Sequence, residues 1–239
     1  MIFAAGLGTR LGPIGRSTPK ALIEVGGETM LERTVRRLVD AGVRHIVVNV
    51  HHQADRIARF IATREFGIEI DLSRELERPL ETGGGLMHAR GLLRGGPILL
   101  HNVDVISDVD LRAMVAAHER SGALATLAVH PRESSRVLLF DDAGLFGRED
   151  RRTDLRQVSR PLRGEVRALA FAGIHVCSAE LLDHVSERGV FSIMDTYLRL
   201  AAEGHRIDPW RFEGGLWLEI GNPERLEAAR AALGRPASA

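Results

Sequence analysis

Apolar runs of strand length alternate with stretches of helical periodicity through the first half of the chain. The runs fall at 2–5, 45–50, 68–72, 97–100 and 124–130, and the helical patterns between them at 29–40, 53–64, 85–93 and 108–120. A parallel strand pair needs a long crossover, so this alternation predicts strand-helix-strand units around a mostly parallel sheet. In the pattern that begins at residue 29, Met30, Leu31, Val35, Leu38 and Val39 share one helical face, and Gly42 stands where a left-handed C-terminal cap is expected. That face is expected to lie against the sheet.

Beyond about residue 131 the texture changes. A strand is read at 137–140, a turn at Asp141-Asp142-Ala143-Gly144 and a second strand at 168–176. Helical stretches follow at 179–186 and 193–203, then a strand at 215–220 and a terminal helix at 223–233, after which Ala237-Ser238-Ala239 is expected to fray. No internal repeat and no linker interrupts the pattern, so one α/β domain with a larger first lobe and a smaller mixed α/β lobe is expected.

A chain of 239 residues with 44% hydrophobic content can bury a substantial core. Thirty-two basic residues balance thirty-two acidic ones, so no global field draws the chain to nucleic acid or to an anionic membrane. Phosphate recognition, if present, has to be local, made by a few placed cations and backbone amides. Cys177 has no second cysteine to pair with and lies in an apolar run, which reads as core. With no leader and no apolar run of membrane-spanning length, a soluble cytoplasmic protein is expected. The first strand is very short, as expected of a chain short of a residue or two at its start.

Of the thirty-two basic side chains only Lys20 is a lysine. It closes the most glycine-punctuated stretch of the chain, Ala4-Ala5-Gly6-Leu7-Gly8-Thr9-Arg10-Leu11-Gly12-Pro13, then Ile14 to Pro19 and Lys20. In so arginine-rich a background, a lone lysine marks a place for a compact ammonium that a planar guanidinium cannot replace. The loop follows an apolar strand, where a parallel sheet places its ligands. Gly6 and Gly8 allow close backbone approach to a phosphate, Thr9 offers a hydroxyl, and Arg10 and Lys20 supply two cations of different shape. A dinucleotide fingerprint fails at Leu11, and a P-loop fails because Lys20 follows Pro19 rather than glycine.

The run Gly-x-Gly-Thr-Arg-Leu, then Pro and Pro-Lys, resembles the signature of the sugar-1-phosphate nucleotidyltransferases. Three later segments are similar to that family's motifs in order and spacing: Pro79-Leu80-Glu81-Thr82-Gly83-Gly84-Gly85, His101-Asn102-Val103-Asp104 and Trp217-Leu218-Glu219-Ile220-Gly221. The resemblance implies a Rossmann-like, mostly parallel central sheet flanked by helices, with a nucleotide-binding lobe over 1–130 and a sugar-binding lobe and C-terminal helix over 131–239. It further implies that a nucleoside triphosphate and a sugar 1-phosphate react to give a nucleotide sugar and pyrophosphate. Nucleotide contacts would come from Ala4, Ala5, Gly6, Gly8, Thr9, Arg10, Pro79, Glu81, Thr82 and Gly83, and catalysis from Arg10, Lys20 and Asp104. Magnesium would be held by Asp104 and Glu219, and the sugar by Asn102, Glu165, Gly173 and Asp195.

Leu-Glu-Thr-Gly-Gly-Gly is most similar to the loop of N-acetylmuramate-1-phosphate uridylyltransferases, which favours UTP. A guanylyltransferase acting on mannose or heptose 1-phosphate is the alternative. Three positions depart from the pattern: Glu219 where the family commonly has aspartate, Val103 where glycine is usual, and Gly15 where many members carry threonine. They motivate a rival reading, a non-catalytic nucleotide-sugar sensor on the same scaffold. A nicotinamide-dependent dehydrogenase is a third reading, weakened by Leu11. The partners expected are small molecules, with no nucleic acid and no membrane, in a monomer or small homo-oligomer.

Overall fold

The computed structural model describes residues 1–234; the expected fraying of residues 237–239 lies outside them. Along the chain the elements are β1 (Ile2–Phe3), α1 (Pro13–Ser17), β2 (Glu24–Val25), β3 (Glu28–Thr29), α2 (Met30–Asp40), β4 (His45–Val50), α3 (Ala54–Ala62) and β5 (Glu69–Arg74). Then come α4 (Glu81–His88), β6 (Ile98–Asn102), β7 (Val105–Ser107), α5 (Leu111–Ser121), β8 (Ala125–His130), β9 (Arg136–Asp141), β10 (Gly144–Asp150) and β11 (Leu155–Val158). The chain closes with β12 (Arg167–Cys177), α6 (Leu181–His184), α7 (Ile193–Ala202), β13 (Ile207–Arg211), β14 (Trp217–Glu219) and α8 (Pro223–Leu233).

The main sheet runs β5-β4-β1-β6-β12-β8-β13, and only β12 opposes the other strands. The mostly parallel α/β sheet expected from the sequence is therefore present. A smaller antiparallel sheet, β12-β9-β10-β11, shares β12 with it. The first residues of β12 pair with β9 and the last four with β6. Its register shifts between Phe171 and His175, where Gly173 adopts φ +78°. A bulge of this kind lets one strand serve two sheets. Because β12 and β13 return to the main sheet, the boundary at residue 130 is crossed by hydrogen-bonded strands.

Helix α2 shows how local sequence sets an element. Thr29 Oγ1 accepts from Glu32 N at 3.2 Å, and the Glu32 carboxylate accepts from Thr29 N at 3.0 Å, a reciprocal cap. Met30, Leu31, Val35 and Leu38 are buried, and Gly42 at φ +94° ends the helix as expected, its amide donating to Val39 O at 2.9 Å.

The differences from the sequence reading have local causes. β10 and β11 went unread because residues 144–158 mix glycine with charge and all of β11 is exposed. β13 holds Pro209 but lies at the sheet edge, where a missing donor is tolerated. α4 begins at Glu81 rather than near 85, and Gly83, Gly84 and Gly85 lie inside it. A Cβ on Gly83 would overlap the Phe191 ring, one on Gly84 the Gly189 carbonyl, and one on Gly85 would lie 2.7 Å from Asn49 and Glu75. The glycines thus let α4 seat tightly. None of the described helices is long and apolar enough to cross a membrane.

Two core imidazoles make a pH prediction. His101 and His175 are fully buried, and burial pushes their pKa from the ordinary 6.5 down to about 4 and about 3. The unfolded chain therefore binds protons first as pH falls. Stability is full above about pH 6.5 and falls below it, by up to about 1.4 kcal/mol per pH unit for each imidazole. Urea midpoints at pH 7 and pH 5 check this, and equal midpoints would show that neither ring is held neutral.

Candidate active site

Six stretches of the chain, several of them far apart in sequence, meet at the carboxyl ends of β1 and β6. They line a cleft of about 380 Å3 with Phe3, Ala4, Ala5, Gly6 and Lys20, with Asn49, with Pro79, Glu81 and Thr82, and with Asn102, Val103, Asp104 and Ser192. The convergence follows from the parallel sheet: β1 pairs with β4 on one side and β6 on the other, so the loops that leave these strands share one edge. A larger groove of about 720 Å3, between Gly26 and Phe66, contains none of the motif residues.

Lys20 follows buried Pro19 and points its ammonium at Asp104, with Nζ 2.8 Å from Oδ2. Both side chains are largely buried, at 13% and 17% exposure, so this pair is screened far less than a surface one. Oδ1 of Asp104 accepts no hydrogen bond from a described residue. Asp104 forms the turn between β6 and β7, and its carbonyl accepts from Ile220 N at 3.0 Å. That bond and the pairing of Glu219 with Val105 bring the last motif beside the third.

The glycine loop is closed on itself. Gly8 adopts φ +65°, and a Cβ on Gly15 would overlap the Gly8 carbonyl. Glycine at 15 is thus what the close approach of the two backbones requires. Thr9 and Arg10 are exposed on this loop, and Gly8, Thr9 and Arg10 stand outside the cleft lining. Val103, the second departure, is buried with its amide on Phe3 O.

Behind the cleft lies a network that no motif announces. Ala4 N donates to Asn49 Oδ1 at 2.7 Å, Asn49 Nδ2 donates to Glu75 Oε1 at 2.7 Å, and Leu80 N donates to Glu75 Oε2 at 2.8 Å. It ties the glycine loop to the start of α4. Gly83 and Gly84 amides both donate to Phe191 O, and Thr82 Oγ1 accepts from Ile193 N at 3.0 Å. Glu81 adopts φ +60°, a strained conformation for a residue with a side chain.

A second cavity of about 520 Å3 shares Glu81 and Ser192 with the cleft and is walled by Phe171, Met194, Arg136 and Arg148. Asp195 pairs with Arg148 at 2.8 Å. Gly173 lies against Asn102, and a Cβ there would sit 3.0 Å from Asn102 Nδ2. Glu165 is exposed on the loop before β12 and lines neither cavity. Sequence reasoning missed Asn49, Glu75 and Arg148; the only signals were polar residues at the ends of β4, β5 and β10.

Carboxylate oxygens suit a hard divalent cation, and Asp104 offers one in the cleft. Glu219 is engaged otherwise: its Oε2 accepts from Arg225 and its Oε1 lies 3.7 Å from Arg10. The three-residue group of possible ligands found among the described residues, His45, Glu69 and Asp71, is remote from the cleft lining, and Arg94 already pairs with both of its acids.

The nucleotidyl transferase family model matches residues 1–235. The chain belongs to this family. A relative from Caulobacter vibrioides, an N-acetylmuramate alpha-1-phosphate uridylyltransferase, is 36% identical over 98% of this chain and 96% of its own length. A mannose-1-phosphate guanylyltransferase catalytic subunit beta from Danio rerio is 31% identical over 94% of the chain, which spans only 61% of that relative. Among solved structures, a UTP-bound UGPase from Acinetobacter baumannii superposes with a TM-score of 0.77 at 17% identity, over 99% of this chain and 93% of the other. HddC from Yersinia pseudotuberculosis, complexed with GMP-PN, gives 0.76 at 19%, over 97% of both chains. At such identities the structures speak for the fold. Family membership makes the chain an enzyme, a sugar-1-phosphate nucleotidyltransferase as the sequence resemblance implied.

Proposed function

We propose that this enzyme joins UTP to N-acetylmuramate 1-phosphate or a similar hexose 1-phosphate. The observation that carries this reading is the convergence of the first three motifs on one cleft, with the lone lysine inside it. The uridylyltransferase relatives support the choice of UTP, since two of them, 36% and 30% identical, match this chain over nearly their whole length. On this reading residues 1–130 carry the nucleotide and 131–239 most of the sugar site.

An oxygen of the sugar phosphate attacks the α-phosphorus in line. A new P–O bond forms as the α–β bridge breaks, and pyrophosphate leaves. Ala4, Ala5, Gly6 and Gly8 bring the backbone close to the phosphates, Thr9 adds its hydroxyl, and Arg10 takes the leaving pyrophosphate. Pro79, Glu81, Thr82 and Gly83 border the base. Lys20 exchanges its contact with Asp104 for an α-phosphate oxygen. Asp104 would hold magnesium, which when bound offsets triphosphate charge. Asn102, Gly173 and Asp195 border the sugar, Asp195 through Arg148.

Pyrophosphate release with UTP and GTP against a panel of sugar 1-phosphates tests the reading. Turnover with UTP and an N-acetylated hexose 1-phosphate is the expected result, and no release with any pair would remove the assignment. Arg148 adds a finer expectation. Its guanidinium suits an acceptor carboxylate, so Arg148→Gln is expected to raise KM about tenfold for a carboxylated acceptor and little for a neutral one. Equal effects on both acceptors would deny Arg148 that role.

A further inference from the structure

Glu219 sits in a cluster of arginines. Arg225 donates to its Oε2, and Arg10 lies 3.7 Å from Oε1. Arg132 is stacked on the ring of Trp217 with 3.8 Å between guanidinium carbon and ring centre, and Trp217 is anchored by its indole N–H on Ala172 O at 2.9 Å. Burial pushes the pKa of Arg132 down, and the charge of Glu219 works against that shift. The Glu219 carboxylate folds back over Gly221, where a Cβ would lie 2.5 Å from Oε1 and 3.3 Å from Arg10 Nη2. Arg225 is fixed in turn by the helix start, because Asn222 Oδ1 accepts from its amide at 2.9 Å.

The arrangement concentrates positive charge. One carboxylate meets two guanidiniums, with Arg132 within reach of its charge, which leaves the cluster cationic beside the cleft. A divalent cation at Glu219 would have to displace a guanidinium and then sit among the others, against strong like-charge repulsion. An anion meets the opposite situation. Arg10 is 69% exposed and Arg225 52%, so both forks remain accessible to an anion while they lie against Glu219, and a planar fork suits phosphate oxygens bidentately. Glu219 restricts their rotamers in advance, which lowers the ordering cost of binding.

We infer that Glu219 is a positioning residue that holds Arg10 and Arg225 as a clamp for the diphosphate end of the nucleotide, and that Asp104 alone carries the metal. The inference rests on the nucleotidyl-transfer reading and changes one assignment that the resemblance implied, the second metal ligand.

The test compares wild type with Asp104→Asn, Glu219→Gln and Arg225→Gln, each first checked for a native thermal midpoint. Mn2+ binding is followed by electron paramagnetic resonance in the presence of a non-hydrolysable UTP analogue, and pyrophosphate binding by calorimetry. Asp104→Asn is expected to weaken Mn2+ by about 10–100-fold, whereas Glu219→Gln and Arg225→Gln stay within about threefold of wild type. Both of these weaken pyrophosphate by about tenfold. Loss of Mn2+ affinity in Glu219→Gln equal to that in Asp104→Asn overturns the inference. So does tighter Mn2+ in Arg225→Gln, the result expected if the arginine were masking a ligand, and so does unchanged pyrophosphate binding in both clamp variants. These titrations need no turnover, so failure of the wild type to release pyrophosphate would count against the reaction while leaving the clamp separately decided.

Discussion

Lys20→Arg is expected to lower turnover by about 10²–10³-fold although the charge is kept, the loss typical when a placed transition-state donor is removed. The ammonium reaches Asp104 at 2.8 Å inside a cleft of about 380 Å3 that Ala5, Gly6 and Asn102 also line. A guanidinium is longer and flat, and it would place its donors beyond the position of the present Nζ. The fold should tolerate the change, with a thermal midpoint within about 4 °C of wild type. Steady-state pyrophosphate release together with a thermal melt separates the two effects. Near-native turnover would show that charge alone matters at this position.

Gly85→Ala has the second largest expected effect, and its sign is a contest between two terms. Alanine is favoured over glycine inside a helix by about 1 kcal/mol. Against that, the new Cβ would lie 2.7 Å from both Asn49 Nδ2 and Glu75 Oε1, in a network that also holds Leu80 N and Ala4 N. Overpacking costs about 1–3 kcal/mol, and a buried amide or carboxylate pushed off its partner costs a similar amount again. The network should win. A net loss of about 1–3 kcal/mol in urea unfolding is expected, with KM for the nucleotide raised about tenfold as the loop at Ala4 loses its anchor. A more stable Gly85→Ala protein with unchanged KM would show that the network yields freely and positions nothing.

Much of this architecture could be read from residue pattern alone, and the reasons are local. α2 carries strong periodicity and a reciprocal cap, β4 is a largely apolar run, and α8 opens on the Asn222 cap with Pro223 at its first position, so the structure places them within a residue of the sequence reading. The cleft was legible because phosphate chemistry restricts residue choice: glycines for close approach, a lone lysine and an acidic residue at a strand end. Glu75 was invisible because it is a single acid in a polar stretch, and only the fold reveals that it is 3% exposed and bonded to Asn49. The run Gly83-Gly84-Gly85 belongs to the segment whose resemblance implies a nucleotide contact at Gly83. Its small size also answers to Phe191, Gly189 and Asn49, residues brought there by tertiary packing that periodicity does not encode. Glu219 matched a motif position, yet its arginine neighbours at 10, 132 and 225 are scattered along the chain and meet only in the folded protein.

The measurement that bears most directly on the central claim is a crystal structure with UTP and magnesium bound. The account predicts the triphosphate along residues 4–8, the base beside Glu81 and Thr82, and the Lys20 ammonium moved from Asp104 onto a phosphate oxygen. A nucleotide bound elsewhere, with Lys20 still on Asp104 and out of reach of any phosphate, would contradict it.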